Sequence, residues 1–68
     1  MLSAAYSKTR DLIFVGQHGR CDPNDVIVYN GDGKYLYHWM APVGPTAICA
    51  HDGFLYLADH YQAYPRPI

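Results

Sequence analysis

Two stretches of this sequence match each other at a fixed separation of 42 residues. Residues 12–18 (LIFVGQH) align without a gap on residues 54–60 (FLYLADH), and the type of side chain is kept at nearly every position. Further pairs at the same separation are Arg10 with Asp52, Asp11 with Gly53, Ala5 with Ala47, Pro23 with Pro65 and Val26 with Ile68. Self-similarity at a period of about 20 to 50 residues indicates a repeat architecture, in which each unit packs against units like itself.

Turn-forming residues interrupt the chain at short, regular intervals and leave segments of strand length between them. These segments are rich in Val, Ile, Leu, Phe and Tyr, and none shows the periodicity of an amphipathic helix. We therefore expect an all-β protein without a helix.

Two β-hairpins are predicted. The first joins residues 26–29 to residues 34–39 through Asn30, Gly31, Asp32 and Gly33, residue types that adopt the positive φ angles of tight hairpin turns. The second joins residues 46–50 to residues 54–59 through His51, Asp52 and Gly53. Because both strands of the second hairpin are apolar almost throughout, we expect them to be buried on both faces.

The return strand of the first hairpin carries a stripe of aromatic residues, Tyr35, Tyr37 and Trp39. Strict alternation along a strand would place the three on one side of the pleat. Such a stripe is either a surface that packs against a neighbouring sheet or a platform on which a sugar or a peptide stacks. These residues are therefore the candidate binding surface.

The period predicts an antiparallel four-stranded propeller blade followed by half of the next, since such blades span about 40 to 45 residues. The first blade would comprise residues 1–44 and the start of the second residues 45–68, with two strands and an irregular, proline-containing tail. A blade cannot bury its faces alone, so we expect a protein partner or self-association that completes the propeller.

Composition excludes several classes of partner. Five basic and six acidic side chains give a net charge of −1, which provides no attraction for nucleic acid or an anionic membrane. Neither a signal peptide nor a membrane-spanning run is expected from the 68 residues. The two cysteines are too far apart for a zinc site. Cys49 is expected to be a buried small hydrophobe and Cys21 a free thiol in a polar loop, with a disulfide between the two in an oxidising compartment as the alternative.

The chain resembles NHL repeats over about 50 residues. The similarity lies in residues 55–59 (LYLAD), residues 26–30 (VIVYN), residues 32–36 (DGKYL), the aromatic Trp39 and residues 45–48 (PTAI). Two features depart from the family pattern: the loop of residues 18–25 is longer than usual, and Gln17 stands where the family usually has Asp. The resemblance implies an NHL-like β-propeller.

His18 and His60 are the candidate metal ligands, because the 42-residue shift places them in equivalent loops of adjacent blades. Neutral imidazole is the commonest protein ligand for metals, and Asp22 or Asp59 would add a carboxylate. The resemblance implies a zinc site of the kind found in peptidyl-hydroxyglycine lyases, which are NHL-type propellers that hold metal with histidines. The alternative is two loop histidines that bond to the backbone.

Three functions remain open from the sequence. The first is a non-catalytic interaction or scaffold segment, favoured because no nucleophile with its base is recognisable. The second is part of a metal-dependent lyase or hydrolase propeller that uses His18 and His60. The third is a truncated fragment without an independent role.

Overall fold

The computed structural model describes residues 2–17, 24–42, 44–59 and 62–68. Within these ranges the chain forms β-strands and turns and no helix, which confirms the expected all-β class. The strands are β1 (Leu2–Ser7), β2 (Leu12–Gln17), β3 (Asp25–Asn30), β4 (Tyr35–Met40), β5 (Ala47–His51), β6 (Phe54–Ala58) and β7 (Ala63–Pro67).

The strands form two antiparallel sheets in which neighbours in sequence are neighbours in space. The first sheet has the order β1-β2-β3-β4 and the second the order β5-β6-β7. Both predicted hairpins are confirmed, as β3–β4 and β5–β6. The side-chain oxygen of Asn30 accepts hydrogen bonds from the amides of Asp32 and Lys34, and Gly33 adopts a φ of 87°. Asp52 and Gly53 both have positive φ, as the two central residues of a tight β-hairpin turn require.

The two sheets pack face to face, with β1 against β5. The core between them contains Phe14, Val26 and Val28 from the first sheet and Leu55 and Leu57 from the second. Because side chains alternate along a strand, these residues define one buried face in each sheet.

The segment that enters the second sheet lies tightly against the first. The Ser3 hydroxyl donates a hydrogen bond of 3.0 Å to the Pro45 carbonyl. A Cβ atom on Gly16 would lie 2.9 Å from the Ser3 oxygen and 3.0 Å from the Pro45 Cβ, so the approach of Pro45 requires glycine here.

The second hairpin is buried on one face only, and the expectation of burial on both faces was wrong. Along β5 and β6 Leu55 and Leu57 are buried, whereas Cys49, Phe54 and Tyr56 are exposed. Cys49 is therefore not the buried residue that its apolar neighbours suggested. An apolar run alone does not distinguish a strand covered on both sides from one covered on a single side.

The tail of the chain forms a third strand of the second sheet, where we expected irregular structure. The amide of Ile68 donates to the Gly53 carbonyl, so the amides of Arg66 and Tyr64 also face β6. Pro65 and Pro67 occupy the alternate positions, whose nitrogens face the open edge. Proline is tolerated in an edge strand at such positions because no ladder hydrogen bond is lost there.

The structure corrects the alignment of the repeat outside β2 and β6. Phe14 pairs with Ala5 and Val28, whereas its equivalent Tyr56 pairs with Cys49 and Pro65. Ala5 is thus equivalent to Cys49 rather than to Ala47, and the sequence matches of Pro23 with Pro65 and Val26 with Ile68 do not hold. A shorter turn before β6 and a shorter loop after it shift the flanking strands.

Candidate interaction surfaces

A β-bulge divides the predicted aromatic stripe between two faces of the first sheet. Val28 pairs with Tyr37 but the next residue, Tyr29, pairs with Tyr35, so the register shifts at this point. Residues that pair directly share a face, and adjacent residues lie on opposite faces. Tyr35 therefore lies opposite to Tyr37 and Trp39, and a single stripe of all three was a wrong interpretation.

Trp39 and Tyr37 lie on the face that packs against the second sheet. The guanidinium carbon of Arg66 is 4.0 Å from the centroid of the Trp39 ring. A cleft of about 70 Å³ beside them is lined by Phe14, Leu55 and Ile68 among others. Trp39 thus takes part in packing between the sheets, which is one of the two roles foreseen for it.

Tyr35 lies with polar and aromatic neighbours on the other face. Its hydroxyl is 2.7 Å from Nδ1 of His38, and its ring meets that of Tyr29 edge to face at 6.3 Å between centroids. His38 is an exposed residue of β4. This group resembles a small stacking surface, and its role in binding remains a prediction.

The face of the first sheet that points away from the second is largely apolar, and we call it the first outer face. It is made by the strand residues that alternate with the inward-facing ones. Its apolar members include Ala4, Tyr6, Ile13, Val15, Ile27 and Tyr29, and its polar members are Gln17, Asp25 and His38. Tyr6 is 53% exposed, and beside it Ala4, Ala5 and Ile13 line a shallow depression of about 340 Å³. No segment in the described part of the chain covers this face.

The corresponding face of the second sheet is called the second outer face. It includes the apolar residues Ala47, Cys49, Phe54, Tyr56, Ala58, Ala63, Pro65 and Pro67, with His51 beside Phe54 at one end. Phe54 and Tyr56 are 40% and 37% exposed, and their ring centroids lie 6.2 Å apart. This surface was not predicted, although the repeat indicated it, since Tyr56 is equivalent to Phe14, which lies at the interface between the sheets.

The predicted metal ligands His18 and His60 both fall outside the described residues, as do Cys21 and Asp22. The zinc site therefore stays a prediction. Across the ranges that the structure does describe, no group of three His, Cys, Asp or Glu side chains is placed to hold a metal ion.

The Ser, Thr and Cys side chains that form hydrogen bonds within the described residues donate to backbone carbonyl oxygens. Ser3, Thr46 and Cys49 donate to the carbonyls of Pro45, Ala58 and Ala50 respectively. These contacts serve structure, since a nucleophile needs a base within hydrogen-bond reach.

A polar cleft separates the turns at one end of the two sheets. Its lining includes Tyr6, Lys8, Thr9, His51 and Asp52. The Tyr6 hydroxyl donates to the Asp11 carboxylate at 2.7 Å. This hydrogen bond, assisted by desolvation and by the negative charge of Asp11, raises the pKa of the Tyr6 phenol.

His51, the last residue of β5, lies at this end of the molecule. Its Nε2 lies 3.1 Å from Oδ2 of Asp52, and both side chains are well exposed. An ion pair in such a position contributes little to stability because solvent screens it.

Comparison of the sequence with protein-family models and with curated proteins, and of the structure with solved structures, finds no match. The described residues also include no helix that is long and apolar enough to cross a membrane.

Proposed function

We propose that this chain is a non-catalytic interaction or scaffold segment of an NHL-type β-propeller. The observation that carries the proposal is the pair of outer faces. Each end of the two-sheet stack presents apolar side chains, including Tyr6 on one side and Phe54 and Tyr56 on the other. Contiguous exposed apolar patches of this kind mark sites where another protein docks.

Two further features support a sheet as the docking partner. The two sheets of the chain already pack on one another through faces that are likewise apolar. In addition, β7 carries Pro65 and Pro67 at its open edge, which disfavours the addition of another strand there. Association is therefore expected through the faces of the sheets and not through the β7 edge.

The proposal is tested with the purified chain by light scattering and circular dichroism over a range of concentrations, with a hydrophobic dye as probe. We expect a β-rich spectrum together with either association or, in a monomer, dye binding that Tyr56→Glu reduces. A disordered chain at every concentration would contradict the proposal and would support the fragment hypothesis. A folded monomer without dye binding would contradict it as well.

The lyase or hydrolase alternative is tested by measuring zinc binding in the same purified sample. Tight zinc binding that is lost in His18→Ala and in His60→Ala would favour a metal-dependent enzyme. Those substitutions leave both outer faces intact, so they separate the two proposals.

A further inference from the structure

The two sheets use equivalent strands in opposite ways. β2 and β6 each lie second in their sheet, and their residues correspond in order, with Phe14 equivalent to Tyr56 and Val15 to Leu57. Phe14 and Leu57 are buried between the sheets, at 2% and 0% exposure. Their equivalents Tyr56 and Val15 lie on the second and the first outer face.

Each outer face is therefore the counterpart of one half of the internal interface. Tyr56 on the second outer face occupies the position that is equivalent to that of Phe14, which the first sheet contributes to the core. Ile13 and Val15 on the first outer face occupy the positions that are equivalent to those of Leu55 and Leu57, which the second sheet contributes to the core. One face alone would be an unpaired surface, but together the two faces form a complementary pair.

We propose that a second copy of this chain docks head to tail, with its second outer face on the first outer face of its neighbour. This contact repeats the packing of the first sheet on the second. The inference rests on the proposed function and names the partner for it. Because the two surfaces in contact differ, the interface is heterologous, and repeating it closes a ring or extends a filament.

The shape of the first outer face fits this arrangement. Its depression is lined by Ala4, Tyr6 and Ile13, which are equivalent to Ile48, Ala50 and Leu55. Those three pack in the core between the sheets. The depression thus lies where the ring of Tyr56 from the next copy would sit, as Phe14 sits within one chain.

The charges of the two faces also permit burial. At its strand positions the second outer face has no Asp, Glu, Lys or Arg, and its one titratable histidine, His51, lies at the end next to the β5–β6 turn. The first outer face has Asp25 at its margin and His38 on the edge strand β4. Burying an unpaired charge is costly, so faces without central charges associate with little desolvation penalty.

The test uses one acidic substitution on each face, Ala4→Glu on the first and Tyr56→Glu on the second. Both residues are exposed, so each variant should keep the β-rich circular dichroism spectrum. By light scattering, wild type is expected to associate, and each variant alone to fall to the mass of one chain, 7.7 kDa. Each variant retains one intact face, so an equimolar mixture should form a one-to-one dimer of twice that mass.

Three results would overturn the inference. They are a wild-type chain that stays a folded monomer at high concentration, a single variant that still self-associates, and a mixture that remains monomeric. The first of these leaves the proposed function intact with a different partner if the monomer binds the hydrophobic dye, whereas an unfolded wild-type chain would remove both. Thr9→Glu, in the exposed β1–β2 turn, is the matched control and should associate as wild type does. If a variant fails to fold, Ile13→Glu and Phe54→Glu replace it on the same faces.

Discussion

The guanidinium carbon of Arg66 lies 4.0 Å from the centroid of the Trp39 ring. Trp39 belongs to β4 at the edge of the first sheet and Arg66 to β7 at the edge of the second. The contact joins the two sheets at the side away from β1 and β5.

Replacing Arg66 by Ala should therefore weaken the packing of the sheets. We expect a loss of about 0.5 to 1 kcal/mol in the free energy of unfolding, the value of an exposed cation–π contact. Arg66→Lys keeps the charge and should retain part of it. Urea unfolding followed by the fluorescence of Trp39, the single tryptophan, measures the change at a fixed protein concentration. Equal stabilities of wild type and Arg66→Ala would show that the contact contributes nothing.

Two leucines allow a comparison of buried and exposed positions. Leu57 is 0% exposed in the core, whereas Leu36 on β4 is 42% exposed. Leu57→Ala should cost about 2 to 5 kcal/mol because it leaves a cavity, and Leu36→Ala should change stability by less than about 0.5 kcal/mol. Thermal or urea unfolding of both variants measures this, and similar losses would contradict the placement of the core.

The hydrogen bond from Tyr6 to Asp11 predicts an alkaline pH dependence. The pKa of Tyr6 is raised above its ordinary value of 10.0, first by this hydrogen bond. A group with a raised folded-state pKa contributes stability that is present below its unfolded pKa and lost as pH rises through the folded pKa. The difference between the tyrosine absorbance titrations of wild type and Tyr6→Phe should therefore report a phenol that ionises at a higher pH than an ordinary tyrosine.

Asp11→Asn is the matched variant for this titration. Asp11 has a φ of 53°, a conformation that asparagine also tolerates, so the turn should persist. Without the carboxylate, the pKa of Tyr6 should return toward its ordinary value. An unchanged titration in Asp11→Asn would mean that the hydrogen bond does not form in solution.

The register of β7 predicts unequal effects on stability for substitutions at the neighbouring positions 64 and 65. Pro65 directs its nitrogen to the open edge, so Pro65→Ala should change the free energy of unfolding by less than about 1 kcal/mol. Tyr64 directs its amide to β6, so Tyr64→Pro removes a ladder hydrogen bond and should cost about 1 to 3 kcal/mol. Similar effects of the two substitutions in urea unfolding would contradict the register of β7.

The strands and turns were largely predictable because their determinants are local. Asn30 and Gly33 supply the hydrogen bonds and the positive φ of the β3–β4 turn from within four residues. The repeat correctly related β2 to β6. It failed for the strands on either side, because turns of different length shift the register and no single separation describes a chain with such insertions.

The surfaces were less predictable than the strands. The exposure of Cys49 and Tyr56 depends on which side of β5 and β6 another sheet covers. An apolar run in the sequence does not determine which side that is. The predicted metal ligands His18 and His60 lie outside the described residues, and the metal site stays a prediction.

The sequence by itself determined that this protein consists of short antiparallel strands joined by tight turns, because turn residues act within a few positions of the chain. Only the tertiary structure decided which faces are buried. The bulge beside Val28 separates Tyr35 from Tyr37, and the register of β7 turns Pro65 outward while Arg66 reaches Trp39. A shift of one residue exchanges the two faces of a strand, so these assignments depend on pairing between distant segments.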